Sequence, residues 1–385
     1  MSVRTRARLV VVTLVAVVLA LAAPASVQAG GGSPGHGHGR GHDQVTVMTQ
    51  NLYLGSSLTP ALTATTPAAF VAAVAQIYGT AVFTNFPRRA EAIADTIEAE
   101  EPDLIGLQEV TNWIARPLVA GANPPSFDFL AILQTALASR GLDYRVAVVS
   151  QNADIGPAPL VAPGFGCGAP TSPTTPKCVV TLQDRDVILV NGDTSGLAVR
   201  GTSAGEFAAQ QEFQPPGATS PVSFARGWAA VDASYRGTAF RFVTTHLEVE
   251  DFAAVQEAQA AEFLAGPAKS RGRVIATGDF NSAADPATTT QPTTSYDQLT
   301  ASWFKDAWNV NGGDPGLSCC QNSTLTNPVS GLRTRIDLIL THGSVRAASA
   351  HLVGDQPIGS TPPLWASDHA GVVADINLHG GHRGH

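Results

Sequence analysis

The stretch Val274 to Ser282, VIATGDFNS, places a carboxylate and a carboxamide two residues apart at the end of an apolar run. Val274, Ile275 and Ala276 predict a short buried strand, Gly278 breaks it, and Asp279 and Asn281 follow with Phe280 between them. In an extended backbone, residues i and i+2 share a face, so Asp279 and Asn281 are expected to project together while Phe280 turns away. Such a pair suits phosphate chemistry. A carboxylate can take or steer a proton from an attacking water, and an amide offers N–H donors to a developing oxyanion. Taken alone, the same residues also describe an ordinary Asx-rich turn.

Other apolar runs end in the same way. Asn51 follows the first run in MTQNLYLG, Glu109 ends LIGLQEV, and His246 ends RFVTTHLE. Asp337 opens RIDLIL, and Asp368 and His369 directly precede the run GVVADI. Each position alone is a polar strand terminus. Together with Asp279 they make seven residues able to bind a cation or move a proton, which is hard to assign to seven separate turns.

The elements that must position them follow from periodicity. Val45 to Met48 predicts a strand. Ala90, Ile93, Ala94 and Ile97 fall at i, i+3, i+4 and i+7, so Arg88 to Glu101 predicts an amphipathic helix that Pro102 stops. Leu104 to Leu107 is the next strand, Leu130, Leu133 and Leu137 mark a second helix closed by Gly141, and Tyr144 to Val149 is another strand. Strands are expected again at Val187 to Val190, Trp228 to Ala233, Ala239 to Thr244, Val274 onward, Ile336 to Leu340 and Val372 to Ile376, with a helix from Phe252 to Leu264. The Pro/Gly/Thr-rich segments 152–178 and 283–295 are expected as surface loops. Strands mixed with helices point to sheets covered by helices.

The motifs N-L-Y, L-Q-E, T-H-L-E, G-D-F-N, R-I-D and S-D-H stand in this order from Asn51 to His369. In that series the chain resembles the endonuclease/exonuclease/phosphatase superfamily, the metal-dependent phosphoesterases that include deoxyribonuclease I, abasic-site endonucleases, bacterial sphingomyelinases and inositol polyphosphate 5-phosphatases. The resemblance implies an α/β fold, a four-layer α/β/β/α sandwich with two mixed sheets face to face and helices outside. It implies a Mg²⁺ or Mn²⁺ site at Glu109 with Asn51 close by and Asp368 adding directly or through water; hard oxygen donors suit such ions. By the same resemblance His369 is the catalytic imidazole and Asp337 its orienting carboxylate. Asp279 orients or deprotonates the attacking water, Asn281 holds a phosphate oxygen, His246 is a second histidine of the deoxyribonuclease I branch, and Arg226 binds phosphate. Asp184, or by spacing equally Asp186, is the candidate acid orienting His246.

Two departures bear on substrate. Glu109 is followed by Val110 and Thr111 rather than the arginine that deoxyribonuclease I-like enzymes send into the minor groove, and Leu182 stands where a DNA-contacting tyrosine is expected. Both weaken a duplex-DNA reading. Nucleic acid remains the first expectation and a phospholipid head group the alternative, and no stable protein partner is expected. A non-catalytic binding module on this fold would be expected to have lost one of the site residues, and none is lost. A phosphomonoesterase for clustered phosphates would need a basic pocket that so few cations do not supply.

Composition sets the compartment. Arg4, Arg6 and Arg8 precede an apolar run from Leu9 to Ala23, and Val27-Gln28-Ala29 resembles a cleavage site, so residues 1–29 are expected as a secretory signal peptide, with no membrane span in the mature chain. Its removal leaves 20 Lys and Arg against 31 Asp and Glu, a balance of −11, which argues against tight non-specific DNA binding as the whole function. In an exported chain the four cysteines are candidates for oxidation, with Cys167 and Cys178 a natural pair and Cys319 and Cys320 vicinal or bridging elsewhere. Residues 30–43 form a Gly/His linker and 379–385 a similar tail, carrying histidines 36, 38, 42, 379, 382 and 385. They are expected as solvated tails outside the catalytic domain, 44–378; function through metal on these tails would be lost on trimming them. Trp303, Phe304 and Trp308 are expected mainly as core, with a small apolar surface the alternative.

Overall fold

Val45 and Val47 alternate with Thr46 and Met48, and that period of two makes the first strand a divider. The valines enter one buried cluster and Met48 another on the opposite face. In the computed structural model, which describes residues 43–168, 176–359 and 362–379, the chain runs β1 (Gln44–Asn51), α1 (Thr59–Leu62), α2 (Pro67–Phe83), α3 (Phe86–Glu100), β2 (Leu104–Gln108), β3 (Asn112–Pro117), β4 (Phe127–Asp128), α4 (Phe129–Ser139), β5 (Tyr144–Pro159) and β6 (Cys178–Asn191). It continues through β7 (Leu197–Glu206), β8 (Gln211–Phe213), β9 (Val222–Phe224), β10 (Gly227–Tyr235), β11 (Thr238–His246), α5 (Ala253–Ala265) and β12 (Val274–Asp279). The last elements are α6 (Ser295–Ser302), β13 (Lys305–Asp306), β14 (Asp337–His342), β15 (Arg346–Val353) and β16 (Gly371–Asn377).

Two mixed sheets result. An eight-stranded sheet is ordered β15-β16-β1-β2-β6-β3-β4 with β5 also on β6, and a six-stranded sheet is ordered β13-β14-β12-β11-β10-β7. Val47, Leu104 and Ile188 from the first meet Val231, Phe242 and Ile339 from the second in the central core. The outer face of the first sheet is covered by α2, α3 and α4 through Ile77, Ile93 and Leu133. Phe263 of α5 and Leu299 of α6 cover the second. This is the α/β/β/α sandwich that the resemblance implies.

The sheets approach most closely behind the strand ends that carry the polar residues. Gln108 Nε2 donates to Thr244 Oγ1 across the gap at 2.8 Å, and Thr49 Oγ1 donates to Gln108 Oε1 at 3.2 Å. Gly106 makes the approach possible: a Cβ there would lie 2.5 Å from Thr244 Oγ1 and 2.5 Å from Thr277 Oγ1.

Three parts of the chain depart from their sequence patterns. The segment expected as a loop over 152–178 begins as strand: β5 extends to Pro159 and pairs with a β6 that begins at Cys178. Register shifts at Gln151/Asp154 and Ile155/Ala158 interrupt the alternation that would have revealed it. α2 was not legible because PAAFVAAVAQIYGTAVF is apolar almost all round and shows no stripe. Trp303 is 41 % exposed, whereas Phe304 and Trp308 are core as expected.

Cys167 and Cys178 form a disulfide, and so do Cys319 and Cys320; among the described residues no cysteine is free. The expected signal peptide, most of the 30–43 linker and the tail beyond His379 lie outside the described residues. Within them no single helix is long and apolar enough to cross a membrane. Gly106→Ala is expected to destabilise the protein by about 1–3 kcal/mol through overpacking between the sheets, measurable as a lower urea midpoint with unchanged slope.

Candidate active site

All the polar strand ends come together at one end of the sandwich, and pairing direction explains why. β1 and β2 run parallel and carry Asn51 and Gln108 in register, one residue before Glu109. β11 and β12 also run parallel, with His246 opposite Asp279. β14 is antiparallel to β12, so its first residue, Asp337, lies opposite Asp279, and β16 is antiparallel to β1, so His369 just before it returns to the same end. Strand termini from both sheets therefore face one cleft.

Asp279 is the hub. Its Oδ2 accepts from Asn51 Nδ2 at 3.1 Å and lies 3.5 Å from His246 Nε2 and 3.7 Å from His369 Nε2. Its Oδ1 accepts from the Asn281 backbone N–H at 2.9 Å. That last bond corrects the extended-strand expectation: Asn281 has φ 49° and shares the face of Asp279 through an Asx turn rather than through pleating. Phe280 does turn away, edge-on to Phe263 at 5.8 Å. His369 Nδ1 lies 2.8 Å from Asp337 Oδ2, so the buried carboxylate fixes the ring and leaves Nε2 facing Asp279. Cys320 Sγ stands 3.9 Å from the same Nε2.

His246 is tied differently. Arg226 Nη1 lies 2.9 Å from His246 Nδ1 and 3.3 Å from its Nε2, so the guanidinium, which can only donate, faces both ring nitrogens. Asn281 Nδ2 lies 3.1 Å from that Nε2 and donates to the Leu247 carbonyl at 2.9 Å. Asp184 and Asp186 were the candidates to orient this histidine, and neither is among its partners. Both are buried on β6; Arg226 favours the charged form of each, against Glu109 at Asp184 and against Asp184 and Asp279 at Asp186. Arg226 thus stands between the histidine and the acids.

The site is electrostatically crowded. Burial raises the Asp279 carboxyl from its ordinary 3.8 to about 7, with Asp337 adding and His369, Asn51 and Asn281 opposing. Burial likewise raises Asp368 to about 7, with Glu109 and Asp279 adding, and Asp184 to about 6, with Glu109 adding. Burial would depress His369, but Asp337, Asp279 and Asp368 outweigh it and hold the imidazole protonated well above its usual range. His246 goes the other way: burial, Arg226 and His369 all keep it neutral.

Two participants are assigned no role by the sequence. Glu248, the last residue of T-H-L-E, lies 3.3 Å from Arg226 Nη2 and anchors the guanidinium. Arg89, on the face of α3 turned to the core, is wholly buried. It donates to the carbonyls of Leu52 (2.5 Å), Tyr53 (3.1 Å), Thr84 (3.1 Å) and Ala366 (3.0 Å) and lies 4.8 Å from the Phe86 ring centroid. The loops after Asn51 and before Asp368 are thereby fastened to one side chain. Burial lowers its pKa to about 10 against the pull of Asp368, Tyr53 and Glu109, so it stays charged.

Among the described residues, Asp279, Asp337 and His369 offer ligand atoms within 4.8 Å of one another, as do Cys319, Cys320 and His369. Glu109 is close enough to Asp368 to raise its carboxyl, and both offer hard oxygens. Glu109 has φ 51°, and its Oε2 accepts from the Leu54 N–H at 2.5 Å. Asn51 Oδ1 accepts from the Tyr53 N–H at 2.8 Å and retains a second lone pair. Among the described residues, Asp184 Oδ1 and both oxygens of Asp186 are buried without a hydrogen-bond partner, and burial raises both carboxyls, Asp186 well above its ordinary value.

A phosphoester-hydrolase cleft at the end of a two-sheet sandwich is the class this fold and site define. The family model for the Endonuclease/Exonuclease/phosphatase family matches residues 48–369, and the chain belongs to that family. A family protein from Bacteroides thetaiotaomicron is similar in structure at 15% identity, with a TM-score of 0.53 over 86% of this chain and 97% of that one. One from Leptotrichia buccalis is similar at 14% identity and TM-score 0.52, over 86% and 99%. A mannosyl-6-phosphatase from Bacteroides thetaiotaomicron is similar at 16% identity and TM-score 0.50, over 86% and 99%. No curated protein sequence matches.

Arg89→Met is expected to cost about 3–5 kcal/mol, because four carbonyls lose their donor, and to be read in a denaturant titration. In metal-free protein, Asp184, Asp279 and Asp368 hold protons up to about 6–7 that the unfolded chain releases near 3.8. The native state then binds more protons in that window, so Tm should fall as pH rises from about 4 to about 7. A divalent cation should flatten the curve.

Proposed function

We propose that this chain is an exported, divalent-metal-dependent hydrolase of phosphodiesters that uses water as nucleophile. The observation that carries the reading is the convergence on Asp279 of His246, Asn281 and the Asp337-held His369. Export is supported by the N-terminal basic, apolar and small-residue layout and by paired cysteines.

Asp279 takes the proton of a water positioned for in-line attack; a carboxyl raised to about 7 titrates near neutral pH, where a general base works best. His369, protonated and fixed through Nδ1 by Asp337, presents its Nε2–H to a phosphoryl oxygen. Arg226, held by Glu248, adds positive charge on the side of the neutral His246. The Asn281 amide lies against His246 and steadies the same edge of the cleft. Glu109, Asp368 and Asn51 would hold Mg²⁺ or Mn²⁺, whose chemistry when bound is Lewis-acid offset of charge on the phosphoryl and leaving oxygens.

Nuclease-type cleavage is the first expectation from sequence and phospholipid cleavage the second; the apolar wall beginning at Leu182 favours the second. Hydrolysis of bis(p-nitrophenyl) phosphate with Mg²⁺ or Mn²⁺ should be abolished by EDTA. His369→Ala should lower it by roughly a hundredfold or more. A rate indifferent to both changes would overturn the reading.

A further inference from the structure

Beside the cleft lies a cavity of about 70 Å³ whose exposed wall is almost wholly hydrocarbon. Its floor is Trp113, Ile155, Val180 and Leu182, and its roof is Phe70 of α2 facing Phe213 of the β8–β9 hairpin, ring centroids 6.4 Å apart. The hairpin belongs to neither large sheet and rests its Gly217 turn on Pro67.

Three segments of chain lead from the cavity wall to residues of the cleft. On β6 the buried side chains pass from Val180 and Leu182 to Asp184 and Asp186. Phe224, in the wall, precedes Arg226 by two residues. Trp113 Nε1 donates to the Leu54 carbonyl at 2.8 Å, and the Leu54 N–H holds Glu109. Two strand residues span roughly 7 Å, so a phosphate at Arg226 and Glu109 is one short reach from the lip.

We propose that this cavity binds one hydrocarbon chain of an amphiphilic phosphodiester, a phospholipid-class substrate whose phosphate enters the cleft. The proposal rests on the phosphodiesterase reading and names its substrate class. A nucleobase is the poorer occupant, because its ring edges would lose their hydrogen bonds against a wall whose one indole N–H is already bound to Leu54. A flexible chain has no such requirement.

The test is a series of monomeric p-nitrophenyl alkyl phosphodiesters, methyl, butyl and octyl, assayed with Mg²⁺. kcat/KM should rise roughly three- to fourfold per added methylene until the cavity is filled. Ala158→Leu, which fills the floor, and Phe213→Ser, at the half-buried lip, should each flatten that gradient and leave the methyl ester within about twofold. Calorimetry with dodecylphosphocholine below its micelle concentration should show binding at least a hundredfold tighter than phosphocholine, lost in both variants. Equal rates for methyl and octyl esters, or equal binding of the two phosphocholines, would overturn the chain site while leaving the hydrolase intact. Chain-dependent binding without hydrolysis of any diester would uphold the site and overturn the activity. Turnover of single-stranded DNA with none of phosphatidylcholine vesicles would also overturn the proposal.

Discussion

One guanidinium holds the cleft together. Among the described residues Arg89 has no carboxylate in salt-bridge contact; it binds backbone carbonyls from segments that are remote in sequence and lies over the Phe86 ring. A cation without water is costly, and its cost is offset only if every N–H finds an acceptor. The loops after Asn51 and before Asp368 are therefore not free to drift, since either displacement strands a buried charge. Precision at the metal-binding side of the cleft is thus a by-product of solvation. Arg226 repeats the device on the other side, with Glu248 as anchor and His246 as the group positioned.

The same cleft holds more carboxylates than its cations neutralise. Asp279, Asp337 and Asp368 surround one imidazolium, while Asp184, Asp186 and Glu109 share Arg226. Protons relieve such crowding at low pH and a divalent ion relieves it near neutrality. Opposite protonation of the two histidines follows from their neighbours: one faces acids and the other faces arginine. Two chemically identical side chains thereby become a charged and a neutral imidazole a few ångströms from one carboxylate.

Much of this was legible because buried strands are apolar runs and their ends are not. Asn51, Glu109, His246, Asp279, Asp337 and His369 all stood at such ends, and the order of their motifs carried the fold. What stayed hidden depends on contacts between distant segments. Helical spacing puts Arg89, four residues before Ile93, on the buried stripe of α3 and leaves Arg88 off it, but nothing in the sequence names its acceptors, which are carbonyls that every residue has. Glu248 was visible as a letter of a motif but not as an anchor. Asp184 and Asp186 were placed correctly on a strand and assigned to the wrong partner, since spacing does not show that Arg226 stands in between. The bulged half of β5 and the uniformly apolar α2 defeated periodicity, and these are two of the elements that wall the cavity.

β16 lies beside β1, so the two outermost parts of the domain are neighbours in the first sheet. Ser367 Oγ donates to the Asn51 carbonyl across 316 positions of chain. His369 and Asp368 stand just before β16, so the cleft is assembled only when the last strand docks beside the first, and the cleft of a chain that stops short of β16 lacks both.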